Sequence, residues 1–379
     1  MSERREAVED RYWMEQALAL GAVAEGTTSP NPRVGCLLVR DGRVVGSGFH
    51  RAHGSPHAEA IAVERAGAGA RGATAYLNLE PCAHLGLTPP CADLLAARGV
   101  RRVVAAIQDP NPRVDGRGFA RLRRAGVRVD VGLLAGEARR LNEPFLHRHE
   151  AGRPLVTLKA AITLDGLISA AGGRSQWITG EPARRFARRL RLRHDAVLVG
   201  AGTVRADDPR LTVRLPGAPR SPVRAVLAPD LDLDPAAALF DRESAEGGPL
   251  PRVYAGPQPS AERVGKFEGR ATIVRVSRQP GGGLALDEVL ADLLLLDVQS
   301  VLVEGGARTL AGFLAAGLAD RAALFVSGRL FGARGATPLV DLPSVGRPEE
   351  AWRLTDAQQI ALGADLLWLG RLVRPSGRG

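Results

Sequence analysis

Four residues in the N-terminal part of the chain have side chains that could act together on a substrate: His57, Glu59, Cys82 and Cys91. One imidazole and two thiolates are a ligand set that suits zinc, and three protein ligands leave a fourth position for water. Zinc lowers the pKa of bound water to about 7, which provides hydroxide at neutral pH. Glu59 lies two residues after His57, near a predicted helix start. We therefore expect its carboxylate to face that water and carry the proton.

The order of these residues limits the reactions that such a zinc site could catalyse. The pattern H-x-E, followed by Pro81-Cys82 and a second cysteine, is typical of zinc-dependent nucleobase deaminases. This chain departs from the C-x-x-C part of the pattern, because the eight residues AHLGLTPP separate its two cysteines. Such a loop could contact a ligand larger than a free base. The alternative is a structural zinc site with Cys36 as fourth ligand, although VGCLLV is more typical of a buried strand.

The composition indicates where such a site would operate. The chain has 379 residues, of which 45% are hydrophobic and 24% charged, and this length favours two domains. No apolar run approaches the roughly 20 residues that span a bilayer, and the charged first segment lacks the apolar core of a signal peptide. Its three cysteines cannot all pair as disulfides, which is typical of a reducing compartment. We expect a cytoplasmic protein.

The charge balance is strongly basic and leaves two interpretations open. The formal net charge is +10, and Lys159 and Lys266 are the only lysines in an arginine-rich chain. The arginines either form a solvated surface or attract anions such as phosphorylated metabolites or nucleic acid. Their even spread, without a basic tail, disfavours nucleic acid. We expect a phosphorylated metabolite as partner, no nucleic acid or membrane partner, and a homo-oligomer of undetermined order.

The first part of the chain alternates between helical and strand patterns, which predicts an α/β layer. Asp41-Gly42 between two apolar runs is a strong hairpin signal. The other predicted elements are helices over residues 8–25, 57–67, 91–100 and 116–126 and strands over 72–82, 101–110 and 127–134. The polar stretch 146–154 lacks periodicity and ends in Gly and Pro. It predicts a boundary between domains 1–148 and 149–379.

Beyond the boundary the alternation restarts. The predicted elements are strands over residues 154–166, 195–205, 298–306 and 321–330 and helices over 181–194, 285–297 and 307–318, whereas 228–285 is rich in loop residues. A strand, the Gly305-Gly306 pair and a helix follow one another, which places free backbone N–H groups where a phosphate binds well. Tight packing is the alternative explanation. None of the glycine-containing segments in this half of the chain follows G-x-G-x-x-G, so a Rossmann site is disfavoured.

Four segments, SPNPRVGCLLV, HAEA, EPCAHLGLTPPC and QDPNPRVDGRG, together resemble the deaminase half of the bifunctional riboflavin-biosynthesis deaminase–reductases over residues 8–146. The resemblance implies a cytidine-deaminase-like α/β/α sandwich with one zinc ion. It implies hydrolytic removal of the 2-amino group of 2,5-diamino-6-ribosylamino-4(3H)-pyrimidinone 5′-phosphate, with Asn31 and His50 contacting this substrate. The alternatives are that Asn31 is only a turn residue and that His50 only ends a strand. Family members place Lys or Arg where this chain has Leu87, so Arg51 or Arg113 must compensate or binding is weaker.

The segments around residues 157–180, 197–214 and 301–314 resemble, in the same order, the reductase half of that family over about residues 154–370. The resemblance implies a dihydrofolate-reductase-like α/β domain in which NADPH reduces the ribosyl group to ribityl. It implies a cofactor site made of Ala161, Trp177, Thr203, Asp207, Gly306, Ala307, Arg308, Thr309 and Leu310. It implies a substrate site made of Ser175, Arg191, Leu211, Arg214 and Glu304.

Three of these positions have alternatives. Lys159 is interpreted as the catalytic cation that polarises the open-chain imine or hydroxyl, and the alternative is a strand-edge lysine whose aliphatic stem packs on apolar surface. Asp207 and Asp208 precede Pro209, so one of them could instead cap a turn. The turn after Gly306 is one residue longer than the EGGPTL spacing of the family, so assignments within it could shift by one.

Two other functions explain part of the pattern. A deaminase that acts on nucleic acid would use the zinc ligands and the basic charge but leaves the second half without a role. A zinc-stabilised ligand sensor would need Cys36 as a ligand and gives Glu59 no role. The resemblance favours a two-domain enzyme that carries out deamination and then reduction.

Overall fold

The computed structural model describes residues 2–85, 89–173, 177–241 and 248–374 and divides the chain into two compact units, Met1–Gly152 and Arg153–Gly379. Residue 148, the predicted domain limit, lies within a helix, Glu143–Ala151. The polar stretch 146–154, which lacks periodicity in the sequence, is therefore helical as far as Ala151. The helix forms because Phe145 and Leu146 bury their side chains against the core of the first unit.

The first unit is a sheet covered by helices on both faces. In its described residues the helices are α1 (Ser2–Ala22), α2 (Ala58–Ala66), α3 (Cys91–Ala97), α4 (Arg117–Arg124), α5 (Ala135–Leu141) and α6 (Glu143–Ala151). The strands are β1 (Gly35–Arg40), β2 (Arg43–Phe49), β3 (Thr74–Leu77), β4 (Arg102–Ala105) and β5 (Arg128–Val131), in the order β2-β1-β3-β4-β5. β1 is antiparallel to both neighbours, whereas β3, β4 and β5 are parallel. Separate apolar clusters lie on the two faces, which confirms the predicted α/β/α sandwich.

Two glycines bring the helix after His57 against the sheet. A Cβ atom on Gly46 would lie 2.2 Å from the Ala62 carbonyl oxygen, and one on Gly48 would lie 2.4 Å from the Ala58 carbonyl oxygen. Neither distance is possible for a real side chain, so only glycine lets α2 pack directly on β2. This contact sets the position of the α2 N-terminus.

Strand β3 ends at Leu77, five residues earlier than the predicted end at Cys82. The residues after Leu77 leave the sheet because their polar side chains bind backbone groups of other segments. Asn78 accepts a hydrogen bond from the Gly35 N–H, and Glu80 accepts one from the Gly118 N–H. Cys82 consequently lies on a loop.

The second unit is built on a larger, mostly parallel sheet. Its described strands are β6 (Leu155–Ile162), β7 (Leu167–Ser169), β8 (Ala196–Gly200), β9 (Val223–Leu227), β10 (Arg252–Ala255), β11 (Thr272–Arg275), β12 (Ser300–Val303), β13 (Arg321–Val326), β14 (Thr337–Pro338), β15 (Arg353–Leu362) and β16 (Asp365–Val373). Its helices are α7 (Glu181–Arg193), α8 (Ala201–Asp207), α9 (Ala261–Gly265), α10 (Leu286–Leu295) and α11 (Ala307–Ala315). The main sheet has the order β11-β10-β9-β8-β12-β6-β13-β16-β15, and among its described strands the antiparallel pairs are β13–β16 and β16–β15. The predicted α/β class is confirmed.

Several predicted boundaries in the second unit were wrong. The strand predicted over 195–205 ends at Gly200, where α8 begins. The stretch 228–285, predicted to be mostly loop, contains β10, α9 and β11. Short buried strands lack the apolar–polar alternation that marks a half-buried strand, so their pattern is weak. None of the helices in the described part of the chain combines the length and the apolarity that crossing a bilayer requires.

A buried histidine links α7 to β6 in the second unit. The His194 Nδ1–H donates to the Leu190 carbonyl oxygen at 2.7 Å, and Nε2 accepts from the Thr157 hydroxyl at 2.9 Å. Burial lowers the pKa of His194 from 6.5 to about 4, because the charged ring would lose its hydration. His194 is therefore neutral in the folded protein near pH 7.

We expect His194 to make the stability of this unit fall as the pH falls from 6.5 to 4. In that range the unfolded chain binds a proton that the folded chain does not, so protonation favours unfolding by up to roughly 3 kcal/mol. Above pH 6.5 the effect disappears. Denaturant unfolding of the wild type and His194→Gln at pH 7.5 and 5.0 measures it. A loss of stability on acidification that is equally large in His194→Gln would contradict this role.

Candidate active sites

The three predicted zinc ligands converge in the first unit. His57 is the residue that precedes α2, Cys91 is the first residue of α3, and Cys82 lies on the loop after β3. The His57 Nδ1 atom lies 3.7 Å from the Cys82 Sγ and 3.4 Å from the Cys91 Sγ. All three ligand atoms lie within 4.8 Å of one another.

The spacing of these atoms fits a single zinc ion. Tetrahedral zinc with Zn–N near 2.0–2.1 Å and Zn–S near 2.3 Å separates a nitrogen and a sulfur ligand by about 3.6 Å. The observed distances of 3.7 Å and 3.4 Å are close to that value. The Cys91 backbone N–H also donates a hydrogen bond to the Cys82 Sγ at 3.3 Å, which favours the thiolate form of Cys82.

Cys36 does not belong to this group. It lies fully buried on β1, where it is paired with Leu77 and packed in an apolar cluster. In the described residues around the site, only His57, Cys82 and Cys91 bring ligand atoms together. The structural site with Cys36 as fourth ligand is therefore disfavoured, and the donor set is that of a zinc site with an open position.

Glu59 lies in the first turn of α2, where the helix also places His57. Its side chain is only 4% exposed. Burial, together with the nearby charge of Cys82, raises the pKa of Glu59 to about 7. A carboxyl group with such a pKa can both accept and donate a proton near neutral pH.

Asn31 and His50 also lie at this site. The Asn31 Nδ2 is 3.0 Å from the His50 Nε2, and the His50 Nδ1 is 3.2 Å from the Pro56 carbonyl oxygen. The His50 and His57 rings pack edge to face, with their centroids 5.5 Å apart. Burial lowers the pKa of His50, which keeps the ring neutral. The structure thus brings both predicted substrate residues beside a zinc ligand.

The predicted basic residues of this site are less well placed. Leu87 lies outside the described residues. Arg51 and Arg113 are both exposed. Thr27 donates to the Arg51 carbonyl oxygen, and the Arg113 N–H donates to the Asn111 side chain.

Glu80 is a buried residue of this region that our interpretation of the sequence missed. Its carboxylate accepts hydrogen bonds from the backbone N–H groups of Asp109, Gly116, Gly118 and Phe119. These bonds fasten the N-terminus of α4 to the loop that carries Cys82. A Cβ on Gly118 would lie 2.1 Å from the Pro81 carbonyl oxygen, so the contact requires glycine. The EPC motif contains this glutamate, and its position next to Pro81-Cys82 is the signal that could have identified it.

The second unit has a large cavity, of about 1440 Å³, at the carboxyl ends of β6, β8 and β12. The lining includes most of the predicted cofactor residues, namely Ala161, Trp177, Thr203, Asp207, Gly306, Ala307, Arg308 and Thr309. Leu310 does not line it, because its side chain faces the apolar core beneath α11. Its cofactor contact stays a prediction. Of the predicted substrate residues, Arg191, Leu211, Arg214 and Glu304 line the same cavity, and Ser175 lies outside the described residues.

The glycines around the start of α11 are needed for close packing at this cavity. A Cβ on Gly200 would lie 2.6 Å from the Thr309 Oγ1, and one on Gly305 would lie 2.5 Å from the Thr309 Cβ. Glycine at both positions lets α11 begin directly beside the end of β8. Its free N–H groups then face the cavity, where a cofactor phosphate can bind. The cavity and its lining fit a dinucleotide.

Glu304 is the centre of a buried ion triad on the cavity wall. The Arg191 Nε donates to its Oε1 at 2.6 Å, and the Lys159 Nζ donates to its Oε2 at 3.3 Å. Burial alone would raise the pKa of Glu304, but the charges of Arg191 and Lys159 outweigh it and hold that pKa well below its usual range. Glu304 therefore stays ionised, and its ion pair holds Lys159 at the cavity. The alternative of a strand-edge lysine without a polar role is disfavoured.

The loop after α8 has a strained backbone. Asp208, Leu211 and Arg214 have φ angles of 40°, 57° and 53°, in the left-handed region that residues other than glycine rarely adopt. Asp208 accepts a hydrogen bond from the Ala238 N–H, and both Asp207 and Asp208 line the cavity. Arg214 also lines the cavity and forms no salt bridge with the residues that the structure describes.

Comparison with known proteins gives consistent matches in both units. A family model described as the cytidine and deoxycytidylate deaminase zinc-binding region matches residues 7–107. A model of the RibD C-terminal domain matches residues 154–367. The chain is 39% identical to the riboflavin biosynthesis protein RibD of Aquifex aeolicus, over 94% of this chain and 97% of that protein. It is 40% identical to RibD of Escherichia coli, over 91% and 94% of the two chains.

Two solved structures are similar over almost the whole chain. Acinetobacter baumannii RibD superposes with a TM-score of 0.84 at 35% identity and covers 97% of this chain and 100% of its own. A Thermotoga maritima protein described as a diaminohydroxyphosphoribosylaminopyrimidine deaminase/5-amino-6-(5-phosphoribosylamino)uracil reductase has a TM-score of 0.82 at 33% identity, with coverage of 97% and 100%.

Proposed function

This chain belongs to the RibD family of bifunctional deaminase–reductases of riboflavin biosynthesis, and on that premise we propose how its residues divide the two reactions. The first unit deaminates 2,5-diamino-6-ribosylamino-4(3H)-pyrimidinone 5′-phosphate, and the second reduces the ribosyl group of the product to ribityl. The observation that carries the proposal is the buried carboxyl group of Glu59 beside three converging zinc ligands.

In the deaminase unit, water adds to the ring carbon that carries the 2-amino group, and ammonia leaves. Zinc held by His57, Cys82 and Cys91 supplies Lewis-acid activation of the attacking water. Glu59 accepts a proton from the water and donates it to the leaving nitrogen, which its pKa of about 7 favours. Asn31 and His50 orient the substrate beside it.

In the reductase unit, NADPH supplies the hydride, and the residues of the chain hold the substrate and stabilise charge. Lys159, which Glu304 holds in an ion pair, donates a hydrogen bond at the reacting C1′ end of the sugar. Arg191 holds Glu304 through two of its N–H groups, with distances of 2.6 and 3.1 Å. Arg214 lines the cavity without a salt bridge to the described residues, and it binds the phosphate of the substrate.

We expect Arg214→Gln to raise the reductase KM for the phosphorylated substrate by about 10- to 100-fold, because a charge-assisted hydrogen bond to phosphate is lost. The deaminase kcat should not change. Arg191→Gln should lower the reductase kcat as well, because Glu304 loses its bidentate partner. Steady-state kinetics of both reactions on both variants measure these effects. An unchanged KM in Arg214→Gln would remove this residue from the phosphate site.

The proposal includes two statements about the setting of the enzyme. A cytoplasmic location is supported by the thiol ligands, because zinc binding requires reduced cysteines. We also propose that the chain forms a homo-oligomer, and sedimentation measures the number of subunits. The enzyme acts on a phosphorylated pyrimidine, as RibD enzymes do.

Turnover of the diaminopyrimidine phosphate tests the proposed function. Without NADPH the purified protein should release ammonia and accumulate the ribosylamino product. With NADPH the same protein should oxidise one NADPH per substrate and form the ribitylamino product. Removal of zinc with a chelator should stop the first reaction and leave the second active on supplied deaminated substrate. A protein that performs neither reaction would refute the proposal.

A further inference from the structure

Two asparagine side chains outside the zinc group hold the backbone that follows Asn31. Asn142 accepts from the Arg33 N–H at 2.8 Å and donates to the Arg33 carbonyl oxygen at 3.0 Å. Asn78 donates to the same carbonyl oxygen at 2.8 Å and accepts from the Gly35 N–H at 2.8 Å. The Arg33 backbone is therefore bound on both its donor and its acceptor side by side chains that come from distant parts of the chain.

Asn142 is itself rigidly placed. Its side chain and backbone are only 3% exposed, and it occupies the junction between α5 and α6. Its N–H donates to the Ala138 carbonyl oxygen at 3.1 Å, and its own carbonyl oxygen accepts from the Leu146 N–H at 3.0 Å. A residue fixed in this way can hold a loop in one position.

The loop that Asn142 holds carries a predicted substrate contact. Asn31 lies two residues before Arg33, with the rigid ring of Pro32 between them. On its other side, the Asn31 N–H donates to the Thr28 carbonyl oxygen at 2.8 Å. Asn31 is thus held from both directions. A shift of the Arg33 backbone would therefore also move the Asn31 side chain.

The hydrogen bonds of His50 determine which end of the Asn31 amide is offered to a ligand. The Pro56 carbonyl oxygen can only accept, so the His50 Nδ1 carries the hydrogen and Nε2 is the acceptor. The Asn31 amide must then turn its NH2 group toward His50. Its Oδ1, which bonds to no other residue that the structure describes, is left as an acceptor for a donor group of the ligand.

We propose that Asn142 is a positioning residue for deamination. Through the Arg33 backbone it holds Asn31 so that the Asn31 Oδ1 accepts a hydrogen bond from a hydroxyl or amino group of the pyrimidine nucleotide. The inference rests on the proposed function and deepens it, because it assigns a role in substrate binding to a residue that touches neither substrate nor metal. Asn78 supports the same segment from the side of the Cys82 loop.

The test uses the full-length, zinc-loaded protein and the diaminopyrimidine phosphate as substrate. Asn142→Ala removes two hydrogen bonds to Arg33, and we expect it to raise the deaminase KM by about 10-fold with a much smaller change in kcat. The zinc content should stay at that of the wild type, and the reductase activity on supplied deaminated substrate should be unchanged. Asn142→Asp keeps the acceptor for the Arg33 N–H. It replaces the donor with a carboxylate oxygen that repels the Arg33 carbonyl oxygen, so its KM should be raised as well.

Leu146→Val is the matched control, because it loosens the packing of α6 one turn after Asn142 without touching Arg33. It should lower the melting temperature and leave the deaminase KM unchanged. A wild-type KM in Asn142→Ala, or an equal rise of KM in Leu146→Val, would overturn the inference. Loss of zinc from Asn142→Ala would also overturn it in favour of a general structural role. A wild-type protein without deaminase activity would refute the proposed function, and the inference with it.

Discussion

Replacing Glu59 with glutamine is expected to reduce deaminase turnover by a factor of about 100 to 10,000, the range that general acid–base catalysis usually contributes. Glutamine has nearly the shape of the carboxyl group that it replaces, so it can occupy the same buried space at the start of α2. It cannot accept the proton of the attacking water, nor deliver one to the leaving nitrogen. Ammonia release under saturating substrate measures the loss.

The zinc content and the reductase activity of the same variant distinguish catalysis from folding. Both should match the wild type, because the three zinc ligands are retained and the reductase site is built from residues of the second unit. Glu64→Gln is a suitable control, since Glu64 lies exposed on the same helix. If Glu59→Gln also loses zinc or reductase activity, or if it retains full deaminase turnover, the assignment of Glu59 as proton carrier is wrong.

The second large effect is expected for Lys159→Gln, which should lower the reductase kcat by roughly 100- to 1,000-fold. The change removes the cation that stabilises charge at the reacting end of the sugar, while Glu304 keeps its bidentate partner Arg191. Cofactor binding should persist, because the residues around Gly306 and Thr203 are untouched. NADPH oxidation in single-turnover experiments measures the chemical step, and quenching of protein fluorescence measures cofactor binding.

The chain contains one natural control for this experiment. Lys266 is the only other lysine, and it lies exposed just after α9, in an ion pair with Glu262 at 2.9 Å. Lys266→Gln should have wild-type activity in both reactions. Equal activities of the Lys159 and Lys266 variants would show that Lys159 has no catalytic role.

Several features were predictable because their causes are local. The Asp41-Gly42 turn joins β1 to β2 as predicted, since both residues adopt the left-handed backbone that such a hairpin turn requires. The helix after His57 ends before Gly67 as predicted, and that glycine has a φ of 51°. Residue types with strong local preferences therefore placed these elements correctly. Their boundaries needed no knowledge of the rest of the chain.

Other features were not predictable because their causes are distant in sequence. The polar stretch 146–154 has no helical pattern, and α6 forms there because Phe145 and Leu146 find buried partners elsewhere in the first unit. β10 and β11 are only four residues long and gain their stability from parallel neighbours. Leu310 follows the family pattern in sequence, yet its position along α11 turns its side chain into the core.

The amino-acid sequence by itself determined the chemistry that is possible: which residues can ligate zinc, which carboxyl group can move a proton, and in which order two α/β units follow one another. The tertiary structure decided which charged and polar groups meet. Arg191 reaches Glu304 across 113 positions, and Asn142 reaches Arg33 across 109. Such pairs form because buried polar groups must find partners, and the packing of helices on the two sheets determines which partners lie within reach.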